Sequence, residues 1–169
     1  MIRAGIHTTM RSHTAICLIL MMLGTGCRKP YTRTPHRLEG TWKSDQEQSV
    51  KWNREHATLT EEQMEKVAPL WGHMTTTFLP EGKGTITIES YNLKAGVHNH
   101  NVKATTNAFT YLIGPETADA VMVEIKSDWV PNQISTYHFE GADLYWIPLN
   151  ESKDAPREYF RRIKEAPEP

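Results

Sequence analysis

From His73 to Ile163 the chain alternates apolar and polar residues with period two, and turn residues break the alternation at regular intervals. No other feature of the sequence constrains the fold as strongly. A period of two puts successive side chains on opposite faces of an extended strand, so each run predicts a strand with one buried face. Met74–Leu79 and Thr85–Tyr91 flank Pro80-Glu81-Gly82-Lys83-Gly84, a hairpin signal. Val97–Thr105 reads as a polar strand at an edge. Phe109–Ile113 and Ala120–Ile125 are divided by Gly114-Pro115-Glu116-Thr117, and Ile134–Phe139 and Leu144–Ile147 by Glu140-Gly141-Ala142-Asp143. Glu158–Ile163 closes the series that Leu38–Ser44 opens. About eight short strands at this spacing predict a mainly β domain, an antiparallel barrel or sandwich. A barrel has the advantage that it leaves no unpaired edge.

One stretch does not alternate. After the first strand, Asp45 and Gln48 stand at the capping-box interval and predict a helix running towards His56. Thr60 and Gln63 repeat the signal, and Met64, Val67, Ala68 and Trp71 follow at helical spacing. Pro69 should distort the last turn of this second helix, and Gly72 suits the position just past its end. The apolar stripe is a face for packing on the sheet. Two helices so placed would cap one barrel opening.

The N-terminus is of a different kind. Arg3 and Arg11 precede an apolar run, Ala15–Leu23, followed by the small residues Gly24-Thr25-Gly26. That is the three-part pattern of a secretory signal, and the run is too short to span a bilayer. Leu23-Gly24-Thr25-Gly26-Cys27 resembles a bacterial lipoprotein lipobox, with Gly24 where a larger residue is usual. The resemblance implies cleavage after Gly26 and acylation of Cys27. Several acyl chains at about 0.8 kcal/mol per buried methylene suffice for stable anchoring. The two cysteines are Cys17, inside the signal, and Cys27, so the exported form has no second thiol for a disulfide. The expected layout is a signal peptide over 1–26, an acylated cysteine and basic tether over 27–37, a domain over 38–163 and a disordered tail over 164–169. Arg28, Lys29, Arg33 and Arg37 supply the tether's charge. Loss of Arg3 and Arg11 takes the net charge from −1 to −3, which argues against nucleic acid as a partner.

Gly40-Thr41-Trp42, Phe78-Leu79-Pro80-Glu81-Gly82, Phe139-Glu140-Gly141-Ala142-Asp143-Leu144 and Tyr159-Phe160-Arg161-Arg162-Ile163 occur in an order that resembles bacterial lipocalin-like domains, small lipid-anchored proteins of the cell envelope. The resemblance implies a small antiparallel, lipocalin-like barrel, with one or two helices inserted after the first strand as a departure from the family. It also implies that Trp42 packs on the barrel floor against Arg161 or Arg162. An address follows: lipid-anchored in the bacterial envelope and facing the periplasm, at the outer membrane rather than the inner.

The chemistry is sparse. No serine stands in a nucleophile-elbow turn and no glycine-rich loop precedes a helix, so no enzyme activity and no cofactor is expected. His98 and His100 fall on one face of a strand, a spacing that can chelate a metal, although a polar edge strand has the same appearance. The inward positions Ile86, Ile88, Phe109, Tyr111, Val121, Val123 and Trp146 would line a ligand cavity or fill a core. These alternatives separate a binder of a small apolar ligand from a structural module that meets another envelope protein, for instance through the loop Ser127–Asn132 and its Trp129.

Overall fold

Strand β1, Gly40–Ser44, opens a closed eight-stranded barrel in a computed structural model that describes residues 33–95, 98–129, 131–152 and 154–164. The chain divides into two units, Met1–Thr34 and Pro35–Pro169, and the fold described is that of the second. The signal segment, Cys27, the tether up to Thr32 and the tail over 165–169 lie outside the described residues.

Asp45 accepts a hydrogen bond from the Gln48 amide at 3.0 Å and caps α1, Gln46–His56. Thr60 and Gln63 form the full capping box of α2, Glu61–Val67. A short 3-10 turn at Ala68–Leu70 follows, because Pro69 has no N–H to continue the α-helical ladder. Gly72 then turns with φ +90°, a conformation glycine adopts without steric cost. The strands run β2 (Met74–Leu79), β3 (Lys83–Ile88), β4 (Tyr91–Ala95), β5 (His98–Val102), β6 (Thr105–Glu116), β7 (Ala120–Lys126), β8 (Gln133–Phe139), β9 (Leu144–Pro148) and β10 (Arg157–Arg162). Barrel order is β1-β10-β9-β8-β7-β6-β3-β2, every pair antiparallel, with β1 closing on β2.

One expectation needs correction. The polar run Val97–Thr105 is no barrel strand: His98–Val102 pairs only with Tyr91–Ala95, in a separate two-stranded sheet. Asn99, His100 and Asn101 put polar side chains on both faces, which leaves little apolar surface to offer a core. Helix α1 continues along the backbone edge of β10 where β1 ends: buried Asn53 exchanges two hydrogen bonds with the Arg157 backbone and Ser49 Oγ accepts from the Tyr159 amide.

Register assigns the two barrel faces. Outside lie Thr41, Thr77, Thr87 and Thr106, joined across strands by hydroxyl contacts of 3.2 Å (Thr41–Thr77) and 3.0 Å (Thr87–Thr106). Inside lies one core cluster: Leu38, Trp42, Phe78, Phe109, Tyr111, Val121, Val123, Tyr137, Tyr145 and Phe160. Phe78 meets the rings of Phe109, Tyr111 and Tyr137 edge-on at 5.2–5.8 Å, a favoured aromatic geometry. Gly84 is required here, since a Cβ would overlap the Phe109 ring.

Candidate functional site

The two barrel ends differ. At one, the Arg162 guanidinium lies 4.1 Å from the Trp42 ring and donates to the carbonyls of Glu39 (2.7 Å) and Arg37 (2.6 Å). Trp42 Nε1 donates to Leu38 O at 2.8 Å, and the ring is fully buried. Arg37, the last basic residue of the expected tether, is docked and not solvated. It lies 4.3 Å from the Phe139 ring, pairs with Glu116 at 2.9 Å and donates to the carbonyls of Thr117, Ala118 and Ala120. This end is sealed.

At the opposite end, the barrel mouth that we call the cup, the aromatic cluster forms the base. Inward positions Met74, Ile86, Ile125 and Ile147 pack on the cluster and are only half-buried, as is Ile88 at the rim. Polar groups converge among them. Ser44 Oγ accepts from the Gly72 amide at 2.8 Å and donates to Glu158 Oε1 at 2.6 Å. Burial pushes the Glu158 carboxyl up to about 7, against the lowering effect of the Ser44 hydrogen bond. Tyr137 and Tyr145 are raised by burial, and Tyr145 further by the neighbouring Tyr137 and Glu158. Among the described residues Arg37 Nε, which has its Glu116 ion pair, is the one sealed side-chain nitrogen or oxygen without a hydrogen bond.

Of the residues read as inward, Phe109, Tyr111, Val121 and Val123 are buried in the cluster, whereas Ile86 and Ile88 stand in the cup wall. Trp146 is a correction. Tyr145 occupies the interior, and strand alternation therefore sends Trp146 to the outer face, where it stacks on His138 at 3.9 Å. Arg162, not Arg161, meets Trp42; Arg161 turns outwards and pairs with Asp45 at 2.8 Å. His100 lies on β5, in the separate two-stranded sheet, and the His98 side chain lies outside the described part. Among the described residues no group of three or more His, Cys, Asp or Glu side chains is placed to hold a metal ion, and no helix is long and apolar enough to cross a membrane. Sequence reasoning missed Glu158, Tyr137 and Tyr145. In Glu158-Tyr159-Phe160 both aromatics are buried, Phe160 inside and Tyr159 beneath α1, which hides the alternation that would have marked Glu158 as inward.

No known family model, curated protein or solved structure matches the chain.

Proposed function

We propose that this is a non-catalytic, lipid-anchored protein of the bacterial cell envelope, facing the periplasm, whose lipocalin-like barrel takes a small apolar ligand into its open end. The observation that carries the reading is the asymmetry of the interior: one end closed by Arg37, Trp42 and Arg162, the other lined by half-buried aliphatic side chains above an aromatic base. An apolar recess with a few convergent polar groups is the usual form of a small-molecule site. The secretory pattern before Cys27 supports the address, and acyl chains on that cysteine attach the domain to the outer membrane.

Titration with the apolar fluorophore N-phenyl-1-naphthylamine tests the cup. Saturable enhancement with the parent chain, weakened by Ile86→Trp, is the expected result; a flat titration overturns the binding reading. The anchor is tested separately by replacing Cys27 with Ala and fractionating cells. The parent should carry acyl mass and sediment with membranes, and the variant should lose both.

One observation favours a second reading, an interaction module with a filled barrel. Leu112, Met122 and Ile134 are exposed apolar residues in a strip of the outer face of β6, β7 and β8 that also holds Glu124, and Trp129 in the loop between β7 and β8 is 42% exposed. An envelope protein partner would cover that strip, and retained partner binding by Ile86→Trp would favour it.

A further inference from the structure

Outside the barrel, five side chains form one continuous stack. The Arg157 guanidinium lies between two indoles, 3.8 Å from the Trp52 ring of α1 and 3.6 Å from the Trp146 ring of β9. His56 continues the stack beyond Trp52 at 4.9 Å, and His138 beyond Trp146 at 3.9 Å. Both guanidinium faces are thus occupied, and only its edge, which holds the N–H donors, remains for other contacts.

That edge has no carboxylate paired with it. Arg37, Arg54, Arg161 and Arg162 each pair with an acidic side chain, but Arg157 has no ion pair among the described residues. Its protein neighbour there is the Tyr159 hydroxyl, which donates to Glu140 Oε1 at 3.2 Å and is pushed up to about 12 by burial and by Glu140, against the lowering effect of Arg157. One hydroxyl leaves most of the five donors unused. The guanidinium stands at a cleft of about 200 Å³ between β8, β9, β10 and the loop that follows β9. Asn150 and Ser152 line the same cleft. The Asn150 side-chain carbonyl accepts from both the amide and the hydroxyl of Ser152, at 2.9 and 2.7 Å, which leaves the Asn150 NH2 group as a donor. His138 lines the cleft from the other side, held below the ordinary imidazole range by burial and by the charge of Arg157, against a raising effect of Asp119. Glu151 is the acidic residue of the lining.

We propose that this cleft binds a small oxyanion, a carboxylate or phosphate group, on the edge of Arg157. A planar guanidinium offers two parallel N–H donors that match two oxygens of such a group, and stacking on indoles holds the fork in place. Asn150 adds a neutral donor. Glu151 opposes the anion from the rim, so its removal must strengthen binding while removal of Arg157 weakens it.

The test follows the indole N–H resonances of Trp52 and Trp146 in the full chain in non-ionic detergent. Sodium phosphate and sodium acetate stand for a free oxyanion, dihexanoyl phosphatidylglycerol for the same group on a lipid, and sodium chloride at equal ionic strength is the control. Saturable shifts with phosphate, acetate or the lipid, and none with chloride, are expected. Arg157→Gln should weaken binding roughly tenfold, and Glu151→Gln should tighten it by about threefold. Tighter binding of the lipid than of phosphate assigns the site to a headgroup, and the reverse to a soluble anion. Asn150→Ala lies in an exposed loop and should weaken binding with the fold intact, which keeps the test valid if Arg157→Gln unfolds. Absence of saturable shifts, or shifts unchanged in Glu151→Gln and Asn150→Ala, overturns the proposal.

Discussion

Glu158 shows most clearly at the residue scale how environment overrides identity. A carboxyl on a strand exposed to water is ionised at neutral pH, but this one faces the barrel interior with a serine hydroxyl as its hydrogen-bonding partner. Its proton is held until about pH 7, compared with 4.5 in an ordinary glutamate. The unfolded chain therefore releases the proton first as pH rises, and linkage makes the fold less stable between those two values, by on the order of 3 kcal/mol in total. His138 works in the opposite direction. Its lowered value makes the fold gain stability as pH rises through the imidazole range. Thermal unfolding followed from pH 4 to 8.5 should thus show a decline in the parent chain. Glu158→Gln should abolish the decline, leave the opposite slope of His138, and raise Tm above pH 7. An unchanged profile in the variant would place the carboxyl in water.

At the scale of elements, α1 is held by specific groups more than by an apolar stripe. Its fully buried residues are Ser49 and Asn53, and both bond to the β10 backbone. Asn53 Nδ2 donates to the Arg157 carbonyl at 2.7 Å, and Asn53 Oδ1 accepts from the Arg157 amide at 2.9 Å. Asn53→Ala leaves two buried backbone groups unpaired, a cost of about 3 kcal/mol. It should also loosen the Trp52–Arg157–Trp146 stack, visible as a red shift of tryptophan emission. Thr60→Ala removes only a cap on the exposed α2 and should cost about 1 kcal/mol with emission unchanged. Equal losses from the two substitutions in urea titrations would contradict this ranking.

On the scale of the molecule, closure of the barrel joins β1 to β10 across almost the whole length of the domain. Phe160 faces Ser44 and Arg162 faces Trp42 in that seam. Truncation after Tyr159 removes Phe160 from the core and Arg162 from the floor, and it exposes the edges of β1 and β9. Such edges recruit strands from other molecules. The truncated chain should elute as aggregates in size-exclusion chromatography, whereas truncation after Lys164 should elute as the parent does. The same long-range pairing predicts slow folding, roughly milliseconds to seconds, because loop closure precedes any gain from contact.

The choice of a barrel came from the lipocalin-like resemblance. Period two, turn chemistry and capping residues were enough to predict a mainly β antiparallel domain, barrel or sandwich, with helices after the first strand, since hairpin registers and helix caps depend on residues near in sequence. The caps at Asp45 and Thr60 and the break at Pro69 were legible for that reason. Which end of the barrel the arginines close was not, because it depends on Arg37 and Arg162 meeting Phe139 and Trp42 from distant segments. The same holds for the inward turn of Glu158, the outward turn of Trp146 and the path of β4–β5 away from the barrel. Alternation along one strand says that two faces exist. Only packing against the other strands and α1 decides which face is inside, and so which side chains are buried and which reach solvent.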